Sequence, residues 1–167
     1  RGSAMTVIDL LGRVGVVPVV TIDDAGDAPA LGNALAEGGL PAVEITLRTP
    51  AAIDAIHGMS VAVPDATIGA GSVMSSSDAE RAIDAGARFV VSPGLDAGVV
   101  EMARERGVPA IPGIATATEL QRAANLGVDV VKLFPAALVG GPAMIRALSA
   151  VWPAVRFVPT GGITPDT

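Results

Sequence analysis

Short apolar runs alternate with amphipathic segments along the chain, and glycine repeatedly stands between them. The runs are Val16–Thr21, Ala42–Leu47, Thr67–Gly69, Phe89–Ser92, Ala110–Pro112, Val128–Leu133 and Arg156–Pro159. They are rich in Val and Ile and mostly apolar on both faces, the pattern of parallel strands covered on two sides. Between them, Ala28–Glu37, Ala51–Ser60, Ser77–Ala85, Ala97–Arg106, Ala117–Asn125 and Pro142–Ala150 carry Ala, Leu or Ile at helical spacing. Gly38, Gly86, Gly107 and Gly127 each follow a helix and precede a strand, where a left-handed residue ends a helix well. Ser77 with Glu80, and Thr116 with Glu119, have the spacing of a capping box. Pro142 suits a first helical turn, and Gly140-Gly141 reads as the turn before it.

Alternating βα units without linker composition predict one domain, either a closed (β/α) barrel or a doubly wound sheet, and seven regularly spaced strands favour the barrel. A complete (β/α)8 barrel takes roughly 200 or more residues, and the sequence has 167. The expected fold is therefore a (β/α)8 TIM barrel over residues 1–167 without its final strand and helices. Arg1–Ala4 reads as a tag scar, with no signal-peptide pattern after it. An open barrel leaves strands one and seven with unpaired edges. The expectation is that the functional protein is longer, or that a partner chain closes the gap.

Composition narrows the chemistry. Half of the residues are apolar, largely Ala and Val, with three Phe, one Trp and no Tyr. Net charge is −6 with acids and arginines interspersed, so neither a basic stripe nor a stacking platform for nucleic acid is expected. No cysteine is present, which excludes disulfides and thiolate catalysis. Apolar runs are strand-sized, so no transmembrane helix is expected and a cytoplasmic protein is the default. No His/acid cluster has metal-ligand spacing, and no metal or cofactor is expected. His57, the lone histidine, falls on the polar side of a helix and reads as a surface residue; Trp152 and Phe157 read as packing.

Lys132 is the only lysine, against ten arginines. An amine can lose its proton and form a Schiff base, whereas a guanidinium stays charged. Lys132 ends an apolar strand, where barrel enzymes keep their chemistry. Strand side chains alternate, so Val128, Val130 and Lys132 share one face, as do Ala42, Glu44, Thr46 and Arg48 on the second strand. If both faces look inward, Lys132, Glu44 and Arg48 meet at the barrel mouth. An amine for a keto carbon, a carboxylate for proton transfer and a guanidinium for a bidentate carboxylate suit a 2-oxo acid such as pyruvate. The bland alternative is an ion-pair network that only holds the mouth together. Phe134 either walls the pocket or fills the core. Thr160-Gly161-Gly162 after the last strand is a phosphate-loop candidate, with an ordinary tight turn as its alternative.

Six segments occur in order: Val43–Thr49 (VEITLRT), Gly69–Val73 (GAGSV), Val91–Gly94 (VSPG), Ile111–Ile114 (IPGI), Val131–Ala136 (VKLFPA) and Val158–Ile163 (VPTGGI). Together they closely resemble the class I KDPG/KHG aldolases of the Entner–Doudoroff pathway. The resemblance implies a trimeric barrel that reversibly cleaves 2-dehydro-3-deoxy-6-phosphogluconate to pyruvate and D-glyceraldehyde 3-phosphate, and 4-hydroxy-2-oxoglutarate to pyruvate and glyoxylate. It implies Lys132 as the Schiff-base lysine and Glu44 as the general acid and base. Arg48 matches the pyruvate carboxylate ligand. Ser72 stands where the family usually has threonine, its hydroxyl kept. Pro93 and Phe134 match substrate-contact positions, and Thr160, Gly161 and Gly162 match the phosphate loop. The family's strand-eight Gly-Gly-Ser segment is absent from this sequence, so weakened activity on the phosphorylated substrate is expected. A related branch acting on the phosphogalactonate epimer often has arginine near the end of strand one, where this chain has Val20-Thr21. Other readings are a catalytically silent trimeric scaffold and a phosphate-binding barrel of different chemistry.

Overall fold

The computed structural model describes residues 5–165, so the stretch read as a tag scar lies outside the described residues. Seven strands follow one another in space as in sequence: β1 (Val19–Val20), β2 (Ala42–Thr46), β3 (Thr67–Gly71), β4 (Phe89–Ser92), β5 (Ala110–Ile114), β6 (Val130–Leu133) and β7 (Arg156–Pro159). Every neighbouring pair is parallel. The helices are α1 (Val7–Val14), α2 (Ala28–Glu37), α3 (Ala52–Ala62), α4 (Ser76–Asp84), α5 (Ala97–Glu105), α6 (Ala117–Asn125) and α7 (Gly141–Ser149). The sheet curls so far that side chains of β2 and β6 meet across its concave side. Among the described residues this is the expected (β/α)8 barrel without its last strand and helices. β1 and β7 form its two unpaired edges among the described residues. No helix there is long and apolar enough to cross a membrane.

The alternating side chains build two kinds of core. On the convex face, Val43, Ile45, Ile68, Ala70 and Val90 pack against Ile56, Met59, Ala79 and Ala82 of the surrounding helices. Ile114, Val131 and Leu133 do the same against Leu120, Ala123 and Leu148. Burying each large aliphatic side chain there is worth about 1.5–3 kcal/mol. Small alanines on the helices let them approach the sheet closely. On the concave face, Phe89, Val91, Ile111 and Val130 form the barrel interior, with Val7, Ile8 and Leu11 of α1 packed onto them.

Helix α1 is absent from the sequence reading. Its signals are Thr6 and Asp9, which cap each other, and a short apolar stripe ended by left-handed Gly15. β1 is shorter than expected because α1 and Gly15 consume the chain before it and Pro18 offers only a carbonyl, which accepts from the Glu44 amide. β3 and β5 run further than expected, through Gly71 and Ile114, because Gly71 stays in register with Thr46, and Gly113 and Ile114 with Lys132 and Leu133. Two end signals are corrected. The cap of α4 is Ser75, which is extended and accepts from the Asp78 amide, so Ser77 lies within the first turn. Gly38 is right-handed and Gly39 takes the left-handed conformation after α2. Thr116–Glu119, Pro142, Gly140, Gly86, Gly107 and Gly127 behave as expected. Trp152 and Phe157 pack against the Ile114–Leu133 core, and His57 is exposed on α3.

Candidate active site

Lys132 sits on β6 between Gly113 of β5 and Val158 of β7. Glu44 sits on β2 between Val19 and Gly69. Three strands separate them in the sheet, yet Lys132 Nζ stands 3.7 Å from Glu44 Oε1, both side chains less than a tenth exposed. That separation is an ion pair rather than a hydrogen bond. Glu44 Oε1 has no hydrogen-bond partner. A buried carboxylate oxygen held without a partner beside an amine is costly for folding alone and marks a place where a proton or a ligand is meant to go. Burial raises the Glu44 carboxyl above its ordinary range, and the opposing pull of Lys132 and Arg48 does not cancel it.

Bare backbone makes room for this carboxylate. A Cβ on Gly71 would lie 2.0 Å from Glu44 Oε1, and one on Gly69 would lie 2.2 Å from the Phe89 ring. Phe89 thus fills the space over Gly69, the register partner of Glu44, and Gly71 leaves the path along which Glu44 leans. Neither glycine is among the residues expected to shape the site. The usable signal was their spacing, which puts both on the face that Glu44 shares. Gly113 has the same duty beside Lys132, where a Cβ would meet the carbonyl of Pro93 at 2.1 Å. The exposed Pro93 loop therefore leans over the strand next to the amine.

Phe134, expected either as pocket wall or as core, has its ring facing the amine, with Nζ 5.0 Å from the ring centroid. Arg48 lies past the end of β2, exposed, and its Nε donates to Ser72 Oγ at 3.0 Å. It makes no ion pair with Glu44 within 4.0 Å among the described residues, so the three-membered network does not form as such. Ser72 adopts a left-handed backbone, φ 55°, which turns its hydroxyl out of the strand toward Arg48.

The Thr160-Gly161-Gly162 loop leaves β7 with positive φ at both glycines, 93° and 75°. It is fastened to the loop after β6: the Ala136 amide donates to Thr160 O at 2.8 Å, and the Ala137 amide to Gly161 O at 3.0 Å. The Thr160 amide donates back to Leu133 O at 3.0 Å. Successive left-handed residues turn amides to one side, a shape that receives anions. These bonds tie the segment that carries Lys132 and Phe134 to this loop. Among the described residues, no three His, Asp or Glu side chains converge into a metal-ligand set.

A family model for KDPG and KHG aldolase matches residues 7–167. The 2-dehydro-3-deoxy-phosphogluconate aldolase of Treponema pallidum is 49% identical over 159 residues, which cover 95% of this chain and 76% of that one. The 2-keto-3-deoxy-6-phosphogluconate aldolase of Zymomonas mobilis ZM4, solved with 3-phosphoglycerate, superposes with a TM-score of 0.89 at 42% identity, covering 98% of this chain and 78% of that one. The KDPG aldolase of Legionella pneumophila, solved with pyruvate captured as a covalent carbinolamine intermediate, superposes with a TM-score of 0.86 at 41% identity, covering 90% and 73%. The chain belongs to the KDPG and KHG aldolase family.

Proposed function

We propose that this protein is a class I aldolase that cleaves 2-dehydro-3-deoxy-6-phosphogluconate to pyruvate and D-glyceraldehyde 3-phosphate, and 4-hydroxy-2-oxoglutarate to pyruvate and glyoxylate. The observation that carries the reading is the buried Lys132–Glu44 pair, with its unpartnered carboxylate oxygen.

The Lys132 nitrogen attacks C2 of the 2-oxo acid and the carbonyl oxygen takes a proton, giving a carbinolamine. A proton taken up by the carbinolamine hydroxyl and loss of water leave an iminium. Glu44 then takes the C4 hydroxyl proton. The C3–C4 bond breaks, its electron pair flows into the iminium, the aldehyde leaves and an enamine remains. Glu44 returns the proton to C3, and water releases pyruvate from Lys132. A carboxyl raised above its ordinary range by burial suits a group that must both take and give a proton. Arg48 and Ser72, already linked, offer a donor pair for the substrate carboxylate. Pro93 and Phe134 border the reacting carbon. Thr160, Gly161 and Gly162 receive the phosphate at the far end. Metal is not required, because the iminium is the electron sink.

We further take the working form to be one barrel domain assembled as a homotrimer, and the charged, phosphorylated substrate to be met in the cytoplasm. Two large apolar side chains on the rim, Met74 and Leu138, stand uncovered and support association. Light scattering after size exclusion tests the trimer.

The function is tested by intact mass after incubation with pyruvate and sodium borohydride, alongside a pyruvate-release assay on the two C4-epimeric substrates. A single reduced-pyruvate adduct that disappears in Lys132→Ala, with faster cleavage of the gluconate epimer, is expected. No adduct and no cleavage would leave a silent scaffold, and faster cleavage of the other epimer would assign the phosphogalactonate branch.

A further inference from the structure

We infer that Thr21 is a specificity-determining residue of this site, whose hydroxyl accepts a hydrogen bond from the C5 hydroxyl of the substrate, the one next to the phosphate-bearing carbon. The inference rests on the aldolase reading and goes beyond it.

Thr21 follows β1 directly, and the β1–β2 register, Val19 with Glu44 and Val20 with Ile45, carries forward to set Thr21 beside Thr46. Parallel partners share a face, so Thr21 lies on the concave side with Glu44, one step nearer the mouth. Its Oγ1 is 2.9 Å from Thr46 Oγ1. Thr46 is buried and donates its one proton to the Val20 carbonyl at 3.2 Å. With that proton committed, the hydroxyl pair is satisfied only if Thr21 donates to Thr46. Thr21 Oγ1 then keeps its acceptor lone pairs, and the residue is exposed at the rim.

The position is fixed on both sides. Thr46 holds the Val20 carbonyl, and Thr49 Oγ1 donates to the Ile22 carbonyl at 2.5 Å. Two hydroxyl clamps from β2 and its loop therefore flank Thr21, and its side chain is preorganised rather than mobile.

Arg48 and Ser72 lie on the β3 side of Glu44, and the substrate carboxylate goes there. The aldehyde-derived half must leave on the other side, toward the loop after β7, and β1 is the strand that borders Glu44 on that side. Glu44 serves the C4 oxygen. The next polar group along that half is a secondary hydroxyl at C5, a donor in search of an acceptor.

The test runs aldol addition of pyruvate to D-glyceraldehyde 3-phosphate and to its 2-deoxy analogue, 3-oxopropyl phosphate, with wild type, Thr21→Val and Thr21→Ser. Loss of one such hydrogen bond corresponds to about a tenfold change at most. We expect wild type and Thr21→Ser to prefer the hydroxylated aldehyde by up to about tenfold in kcat/KM, and Thr21→Val to lose that preference while trapping pyruvate with borohydride as wild type does. A merely structural role would slow both aldehydes alike and leave their ratio unmoved. An unchanged ratio in Thr21→Val, with trapping intact, overturns the inference and leaves the aldolase standing. Failure of wild type to trap pyruvate overturns the aldolase reading itself, and this inference with it.

Discussion

Lys132 Nζ and Glu44 Oε1 stand 3.7 Å apart although three strands lie between β2 and β6 in the sheet. Only the curl of the barrel can bring them together, so the site and the fold are one construction. Folding energy alone does not account for the pair. Taking both charges out of water costs several kcal/mol, and their attraction returns that cost only with good hydrogen bonds. Here Glu44 Oε1 has none.

Lys132→Arg keeps the charge and removes the nucleophile. We expect aldol cleavage to fall at least about a thousandfold, since a residue that forms the covalent intermediate has no substitute. Pyruvate trapping by borohydride should vanish while circular dichroism and the melting transition stay close to wild type. Substantial cleavage by this variant would show that the amine is not the nucleophile.

Gly71→Ala tests whether the empty space beside Glu44 matters. The added Cβ would lie 2.0 Å from Oε1, so the carboxylate must move. Overpacking of this kind costs typically 1–3 kcal/mol. We expect a drop in kcat of about ten- to a hundredfold, because a displacement of about 1 Å of a proton-transfer group has that scale. Imine formation should be less affected, since Lys132 stays in place. Rapid-quench trapping alongside steady-state cleavage separates the two. Equal losses in both would assign Gly71 to Lys132 positioning instead.

The elements of this fold were legible because strand and helix periodicities differ and because glycine marks the boundaries. Lys132, Glu44 and Arg48 were legible from the two-residue alternation on their strands. What stayed hidden depends on distance between elements. The ring of Phe89 over Gly69, and Glu44 leaning past Gly71, are contacts across the pleat that no single strand's pattern encodes. The bond from Arg48 to Ser72 needs the left-handed turn at Ser72, which a serine does not advertise. Helix α1 was missed because its apolar stripe is short and precedes the first strand signal, yet it closes the barrel interior against Phe89, Val91, Ile111 and Val130.

Glu44 gives the protein a pH signature of definite sign. Its carboxyl is raised in the folded state, chiefly by burial. The native state therefore keeps a proton that the unfolded state releases. This contribution to stability is fully present below the ordinary carboxylate range and is lost as pH rises through the raised value. Glu44→Gln lacks the titration. Urea midpoints for wild type and Glu44→Gln, compared from about pH 4 to about pH 8, should diverge in favour of the variant as pH increases. The same variant should cleave slowly while still forming some imine. A gap constant across that range would mean Glu44 titrates as it does when unfolded.

Arg48→Ala separates binding from chemistry. Arg48 is exposed and reaches Ser72 rather than Glu44, so its removal leaves the Lys132–Glu44 pair in place. A bidentate guanidinium–carboxylate contact at a partly open site is worth about 1.5–3 kcal/mol. We expect the pyruvate concentration for half-maximal trapping to rise about ten- to a hundredfold, with the limiting trapped yield preserved. Arg48→Lys should recover only part of the loss, because an ammonium offers a point charge where a planar fork is needed. Ser72→Ala should add to the loss in Arg48→Ala, since the Ser72 hydroxyl accepts from Arg48 Nε and keeps its own proton for the carboxylate. No further loss in the double variant would instead mean that Ser72 acts only by holding Arg48.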